Sequence, residues 1–345
     1  MAQVPVFRSL EVRRELPETK IHSLAQDDNG EVWMGTDRGL WSFNGVEFTP
    51  HALNDSLGEF TVISLNVRDK DHMMLGCEDG DLWIVDEYGP RLLRQGGDRA
   101  GVSSIIQDED RSIVTTYGSG VMVIEGDSVR TINTSNGLPD DFIYCSYLDE
   151  SGVLWIGSDR GLSMISNYQS SPDVQNFSEE EGLTDNIVMS MVKGKGDLIW
   201  LGLYDNGMIS FDTKNHEFEV PEKIKEWGHG KVNDMICLKN EIWAATRSGI
   251  VDYEFSGYHR LRILTGNEGD LLKLTSFLLG DKGNIWVTDG EELYYTSGEG
   301  IEVKGSHNGD DISNVSTILA TEDGKVWFSN DKGLFCYMPF VKDIE

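Results

Sequence analysis

One short pattern returns along this chain at nearly constant spacing, and it limits the possible folds more than any other feature. Its clearest copies read GEVWMGTDRGLW from Gly30, GVLWIGSDRGLS from Gly152, DLIWLGLYDNGM from Asp197, NEIWAATRSGIV from Asn240, GNIWVTDGEELY from Gly283 and GKVWFSNDKGLF from Gly324. Six of the nine tryptophans thereby share one position. Two weaker copies, HMMLGCEDGDLW from His72 and SIVTTYGSGVMV from Ser112, put Met74 and Val114 there. The register positions are Trp33, Met74, Val114, Trp155, Trp200, Trp243, Trp286 and Trp327, spaced 41, 40, 41, 45, 43, 43 and 41 residues apart. That period matches the roughly 40 to 45 residues of a four-stranded propeller blade and exceeds ankyrin or leucine-rich units.

Each copy reads as strands. In the first, Ile21 to Gln26 is an inner strand, Asp27-Asp28-Asn29-Gly30 a turn, and Glu31 to Thr36 a second strand. Asp37-Arg38-Gly39 turns into a third strand, Leu40 to Phe43, and Asn44-Gly45 signals a hairpin to an outer strand, Val46 to His51. Short runs punctuated by Gly, Asp and Asn are incompatible with amphipathic helices, so no long helix is expected. Ten residues ahead of the register positions, or nine for Asp234, stand Ser23, Ser64, Ser104, Cys145, Ser190, Asp234, Ser276 and Thr317. Inner strands converging on an axis require such small side chains. With no histidine in register, these serines read as steric, not nucleophilic.

The chain ends support a closed all-β architecture. The last copy supplies three strands, Val315 to Ala320, Lys325 to Ser329 and Leu334 to Tyr337, whereas Val6 to Val12 precedes the first inner strand as an outer strand would. The expectation is a single propeller domain over residues 1–345, with eight four-stranded blades and Val6 to Val12 completing the last one, which removes an exposed sheet edge. Seven blades is the alternative, if the copy around Val114 is not a full sheet.

Lysine and arginine total 29 against 59 aspartates and glutamates, a formal charge of -30. Nucleic acid and anionic lipid are held chiefly by clustered cations, so this balance argues against both as main partners. No apolar stretch approaches the roughly 18 to 20 residues of a membrane span, and the first residues lack the pattern of a signal peptide. Cys77, Cys145, Cys237 and Cys336 fall in alternate blades without metal-ligand spacing and read as buried small hydrophobes.

Asn136 to Ile165 (NGLPDDFIYCSYLDESGVLWIGSDRGLSMI) and Glu181 to Asp212 (EGLTDNIVMSMVKGKGDLIWLGLYDNGMISFD) resemble the two-component regulator propeller repeat: a Gly-Leu-Pro-like lead, an inner strand ending near Asp, then Leu-Trp-Ile-Gly-Thr followed by Gly-Leu. IHSLAQDDNGEVWMGTDRGLWSF, from Ile21, matches nearly as well. Met74 and Val114 depart from the pattern, and Trp243 and Trp286 are not followed by Ile-Gly-Thr. The resemblance implies a periplasmic or extracellular sensor region of histidine-kinase-type regulators in bacteria, several of which bind carbohydrate fragments. It implies fold more strongly than activity.

Turns between second and third strands share one rim of a propeller. They place Arg38, Glu78, Asp79, Tyr117, Arg160 and Tyr204 there, with Asp205, Asn206, Arg247, Asp289, Asp331 and Lys332. The connection Pro221 to Asp234 adds Trp227 and His229 in a Gly-bounded loop. Arg38, Tyr117, Arg160, Tyr204, Asp205, Trp227, His229, Arg247 and Lys332 are the candidate ligand-binding residues. Their mixture of rings and hydrogen-bonding groups suits a small polar ligand or oligosaccharide. The acidic turns at Asp27, Asp149, Asp281 and Glu322 lack the glutamate of a calcium loop and read as hairpin turns. No catalytic residue, metal or cofactor is expected: the seven histidines are scattered, and no HExxH, Gly-x-Ser-x-Gly or phosphate-cradling loop occurs. The functional alternatives are a scaffold that docks a protein on its rim and a metal-dependent enzyme resembling streptogramin lyase, for which His229 is the one loop histidine to nominate.

Overall fold

The computed structural model describes residues 6–9, 19–57, 60–96, 101–108, 110–227, 230–238, 241–246, 249–254, 259–262, 276–279, 285–288, 293–296, 301–303, 306–307, 310–311, 315–321, 323–330 and 333–338. The chain forms two compact units, Met1–Gln95 with Phe277–Glu345, and Gly96–Ser276. The described strands make eight four-stranded antiparallel sheets, numbered here in chain order, and one two-stranded hairpin of Ser306–His307 with Asp310–Asp311.

In the first unit, the first sheet comprises Ile21–Gln26, Val32–Thr36, Gly39–Phe43 and Phe48–Pro50, and the second Val62–Asp69, His72–Cys77, Leu82–Asp86 and Gly89–Arg94. The seventh runs from Ser276–Leu279 through Ile285–Thr288 and Leu293–Thr296 to Ile301–Val303. The eighth takes Thr317–Ala320, Val326–Asn330 and Gly333–Met338 from the C-terminal end and Val6–Ser9 from the N-terminal end. Val6 faces Met338 and Ser9 faces Phe335 in antiparallel register, so the N-terminal strand completes the last sheet as expected. It is described over Val6–Ser9; Leu10 to Val12 of the anticipated strand lie outside the described residues.

In the second unit, the third sheet is Val102–Asp108, Arg111–Thr116, Val121–Glu125 and Ser128–Ile132, so the copy around Val114 is a complete sheet. The fourth is Ile143–Leu148, Leu154–Ser158, Gly161–Ser166 and Asp173–Phe177, and the fifth Val188–Lys193, Leu198–Leu203, Met208–Asp212 and Glu217–Glu219. The sixth is Val232–Leu238, Glu241–Thr246, Gly249–Glu254 and His259–Arg262.

All eight register positions are core, from 0% exposure at Val114 to 7% at Trp327. Trp33, Trp155, Trp200, Trp286 and Trp327 each serve the seam to the next sheet. Trp155 packs with Leu183, Val188 and Leu201 of the fifth, Trp200 with Val232 and Ile242 of the sixth, Trp286 with Val326 and Phe328 of the eighth, and Trp327 with Ile21 and Met34 of the first. A wide flat ring can cover most of a neighbouring sheet face in one contact, which is why one aromatic per repeat suffices to glue successive sheets.

The small-residue positions are as crowded as expected. A Cβ on Gly157 would stand 2.5 Å from Cys145 Sγ and 2.9 Å from the Val188 carbonyl of the next sheet. Gly35 faces Ser23, and Gly202 faces Ser190, in the same way. The Gly of Trp-x-Gly is therefore demanded by close approach of two inner strands.

Several details differ from expectation. Val46 belongs to the turn at 88% exposure, and the first outer strand is only Phe48–Pro50. Short helices Leu53–Leu57 and Glu222–Trp227 occupy two connections between sheets, because buried Leu53 and Ile224 need a helical turn to point into the seams. Trp227 thus ends a helix rather than lying in a loop. All four cysteines are free thiols, but only Cys77 and Cys336 are buried; Cys145 and Cys237 are half-buried, since inner-strand positions keep one side open. Among the described residues no helix is long and apolar enough to cross a membrane.

Candidate functional site

Several turns between second and third strands, those of the first, third and fourth sheets among them, are built by one device. The Ser158 hydroxyl donates to the Gly161 carbonyl and accepts from the Arg160 amide, and Thr36 does the same with Gly39 and Arg38. Thr116 binds the Gly120 carbonyl and the Ser119 amide. A hydroxyl that is both donor and acceptor fixes a tight turn without a longer loop. Arg38 and Arg160 therefore stand exposed at equivalent positions, Arg38 in the first unit and Arg160 in the second.

In the second unit, the connections from outer to inner strand are just as ordered. Gly137 and Gly182, at φ 128° and 108°, turn the chain so that Leu138 and Leu183 plug the seams below. Asp140 and Asp185 then accept the amides of Phe142 and Ile187. Asp141 takes the amide and hydroxyl of Thr134, and Asn186 accepts the amide of Glu179. Asp185 also accepts the Asp205 amide, and the Asn206 side chain donates to the Thr184 carbonyl, tying one connection to the neighbouring turn. The Gly-Leu lead of the repeat is a device for fixing this rim.

On that rim three aromatic rings meet. Tyr117 and Phe142 lie 5.2 Å apart, Phe142 and Tyr144 5.3 Å, and Tyr117 and Tyr144 6.5 Å. Tyr117 is 38% and Phe142 37% exposed, an unusual surface for two large rings. Their backbones pair at an isolated bridge, which holds the rings side by side. Arg160 Nε sits 3.5 Å from Asp140 Oδ2 beside them, its side chain mostly in water. Burial, then the hydrogen bond to Asp159, pushes the Tyr144 phenol up to about 12. Burial also raises Tyr117. Both phenols are neutral donors at ordinary pH.

Tyr204, at the fifth sheet, is exposed and carries Lys231 5.2 Å over its ring, with exposed Asp205 beside it in sequence. Of the nine candidate residues, the structure thus brings Tyr117 and Arg160 into one cluster and places Tyr204 and Asp205 on the next turn of the same unit. The Trp227 side chain, His229, Arg247 and Lys332 lie outside the described residues. Phe142, Tyr144, Asp140 and Asp159 complete the cluster without having been singled out. The signal that could have found them is the Asp-Asp-Phe-Ile-Tyr run directly after the Gly-Leu-Pro lead.

The acidic turns at Asp27 and Asp149 are structural, as expected, whereas Asp281 and Glu322 lie outside the described residues. Asp149 Oδ1 accepts the Ser151 and Val153 amides, and Asp27 Oδ1 those of Asn29 and Glu31. Among the described residues no three His, Cys, Asp or Glu side chains form a metal-ligand set.

Residues 15–38 and 137–160 match the model of the two component regulator propeller. Histidine kinase P4 of Formosa agariphila is 25% identical over 267 residues, which are 70% of this chain and 19% of that protein. The chain therefore spans about a fifth of the curated relative it matches. The extracellular domain of BT4673 from B. thetaiotaomicron, described both as a one-component and as a hybrid two-component system, superposes with a TM-score of 0.59 at 13% identity, covering 96% of this chain and 52% of that one. Virginiamycin B lyase from Staphylococcus aureus gives the same TM-score of 0.59 and identity of 13%, over 97% and 99% of the two chains. Equal likeness to a domain of a two-component system and to an enzyme establishes the fold and leaves activity to the site. The fold is an all-β propeller of four-stranded sheets, and two segments of the chain match the two-component regulator propeller.

Proposed function

We propose that residues 1–345 form one non-catalytic sensor propeller of a bacterial signal-transduction system, which binds a polar ligand such as a carbohydrate on the rim bearing Tyr117 and Arg160. The observation that carries this reading is the exposed ring cluster Tyr117, Phe142 and Tyr144, held by ordered turns beside a guanidinium and carboxylates. Rings offer flat faces to the C–H side of a sugar, and the flanking groups reach its hydroxyls. The matching segments and the histidine kinase relative support a signalling role, and the likeness to the extracellular domain of BT4673 supports a place outside the cell or in the periplasm. Rigid turns favour recognition without an ordering cost. Thermal shift and calorimetry against a panel of oligosaccharides test the reading. Saturable binding by at least one is expected; silence across the panel overturns it in favour of a protein-docking scaffold.

A further inference from the structure

We propose that the ring cluster of the second unit selects uncharged glycans over their uronate counterparts, with Tyr117 and Phe142 as the stacking face and Asp140 and Asp159 as hydroxyl acceptors. This rests on the sensor reading and specifies its ligand class.

The selectivity follows from which charges surround the rings. Asp140, Asp141 and Asp159 bring three carboxylates to the cluster against the Arg160 guanidinium. Both oxygens of Asp141 are engaged by Thr134, so it acts as a fixed negative charge. Asp140 uses Oδ1 on the Phe142 amide, and its Oδ2 lies 3.5 Å from Arg160 Nε, longer than an ordinary hydrogen bond. Asp159 accepts from the Tyr144 phenol and keeps further lone pairs. Carboxylates only accept, so they suit the O–H groups of a neutral sugar, whereas a uronate would bring a like charge to a cluster in which three carboxylates outnumber the single guanidinium of Arg160. Tyr117 and Phe142 are the two exposed members of the cluster, and with centroids 5.2 Å apart and planes inclined at 40° they offer two adjoining aromatic faces on which a sugar ring can stack.

The test uses the full chain and matched pairs of oligosaccharides, each neutral sugar beside the oligouronate of the same linkage and length, with calorimetry as readout. The expected result is that the uronate of a bound pair is weaker by about tenfold, and that the gap narrows at raised salt and in Asp159→Asn. Phe142→Ala, checked for folding by circular dichroism, loses the neutral glycan. A uronate bound as tightly as its neutral partner, or tighter, overturns the selectivity and leaves the sensor reading standing. Unchanged neutral binding in a folded Phe142→Ala overturns the location. Failure of every glycan of both kinds overturns this inference and the sensor reading together.

Discussion

The indole N–H of Trp155 donates to Asp149 Oδ2 at 2.9 Å, closing the turn that joins the first two strands of the fourth sheet. Trp33 and Asp27 repeat the contact at 3.1 Å in the first sheet. The same carboxylate therefore organises the turn and anchors the ring that glues two sheets. Asp149→Ala should cost about 1.5–3 kcal/mol, the range for losing hydrogen bonds to a charged acceptor. Trp155→Ala should cost about 3–5 kcal/mol, since it also opens a cavity between the sheets. Urea unfolding of the two variants checks the order.

Acid sensitivity follows from the same carboxylate. Burial pushes the Asp149 carboxyl up, but hydrogen bonds from Ser151, Trp155 and Val153 outweigh burial and hold it below the usual carboxylate range. Its contribution is complete above the unfolded value of about pH 4 and is lost as pH falls through the lower folded value. Wild type should lose more stability than Asp149→Asn as pH drops below about 4. Parallel acid-unfolding curves for the two would contradict this.

Gly157→Ala should be destabilising although it adds a single methyl. The new Cβ meets Cys145 Sγ at 2.5 Å and the Val188 carbonyl at 2.9 Å. Overpacking of this kind costs about 1–3 kcal/mol. Adding Cys145→Ala should recover only part of the loss, because the backbone carbonyl cannot move aside. Thermal melts of the single and double variants measure the residue.

The register of the N-terminal strand can be read chemically. Arg8 faces Cys336 across the eighth sheet. Facing residues in an antiparallel pair lie within the roughly 4.4–6.8 Å Cα separation that a disulfide spans. Arg8→Cys should form a disulfide with Cys336 under mild oxidation, detected by a mobility shift and peptide mapping. Ser9→Cys, which faces Phe335, should not.

The repeat was legible because burial at Trp33, Trp155 and their equivalents imposes a period that survives in the residues themselves. The small-residue ring was legible for the same reason: Ser23 and Cys145 answer a steric demand that leaves few choices. Phe142 and Tyr144 were not, because an alternating pattern cannot show where a strand shifts register, and the pairing slips between Ile143 and Cys145, at Tyr144 itself. The helices at Leu53 and Glu222 were unread because five- and six-residue turns carry too few positions to show a helical period. Asp149 was read as a turn residue, but its bond to Trp155 depends on two strands coming into register.

The central claim is that recognition belongs to the rim built by Tyr117 to Gly120 and Asn133 to Phe142. Hydrogen–deuterium exchange of the full chain, with and without a saturating oligosaccharide, tests it most directly. Slowed exchange at the amides of these two segments is the predicted result; unchanged exchange there, with protection confined to the turns at Arg38 and Glu78 of the first unit, would contradict it.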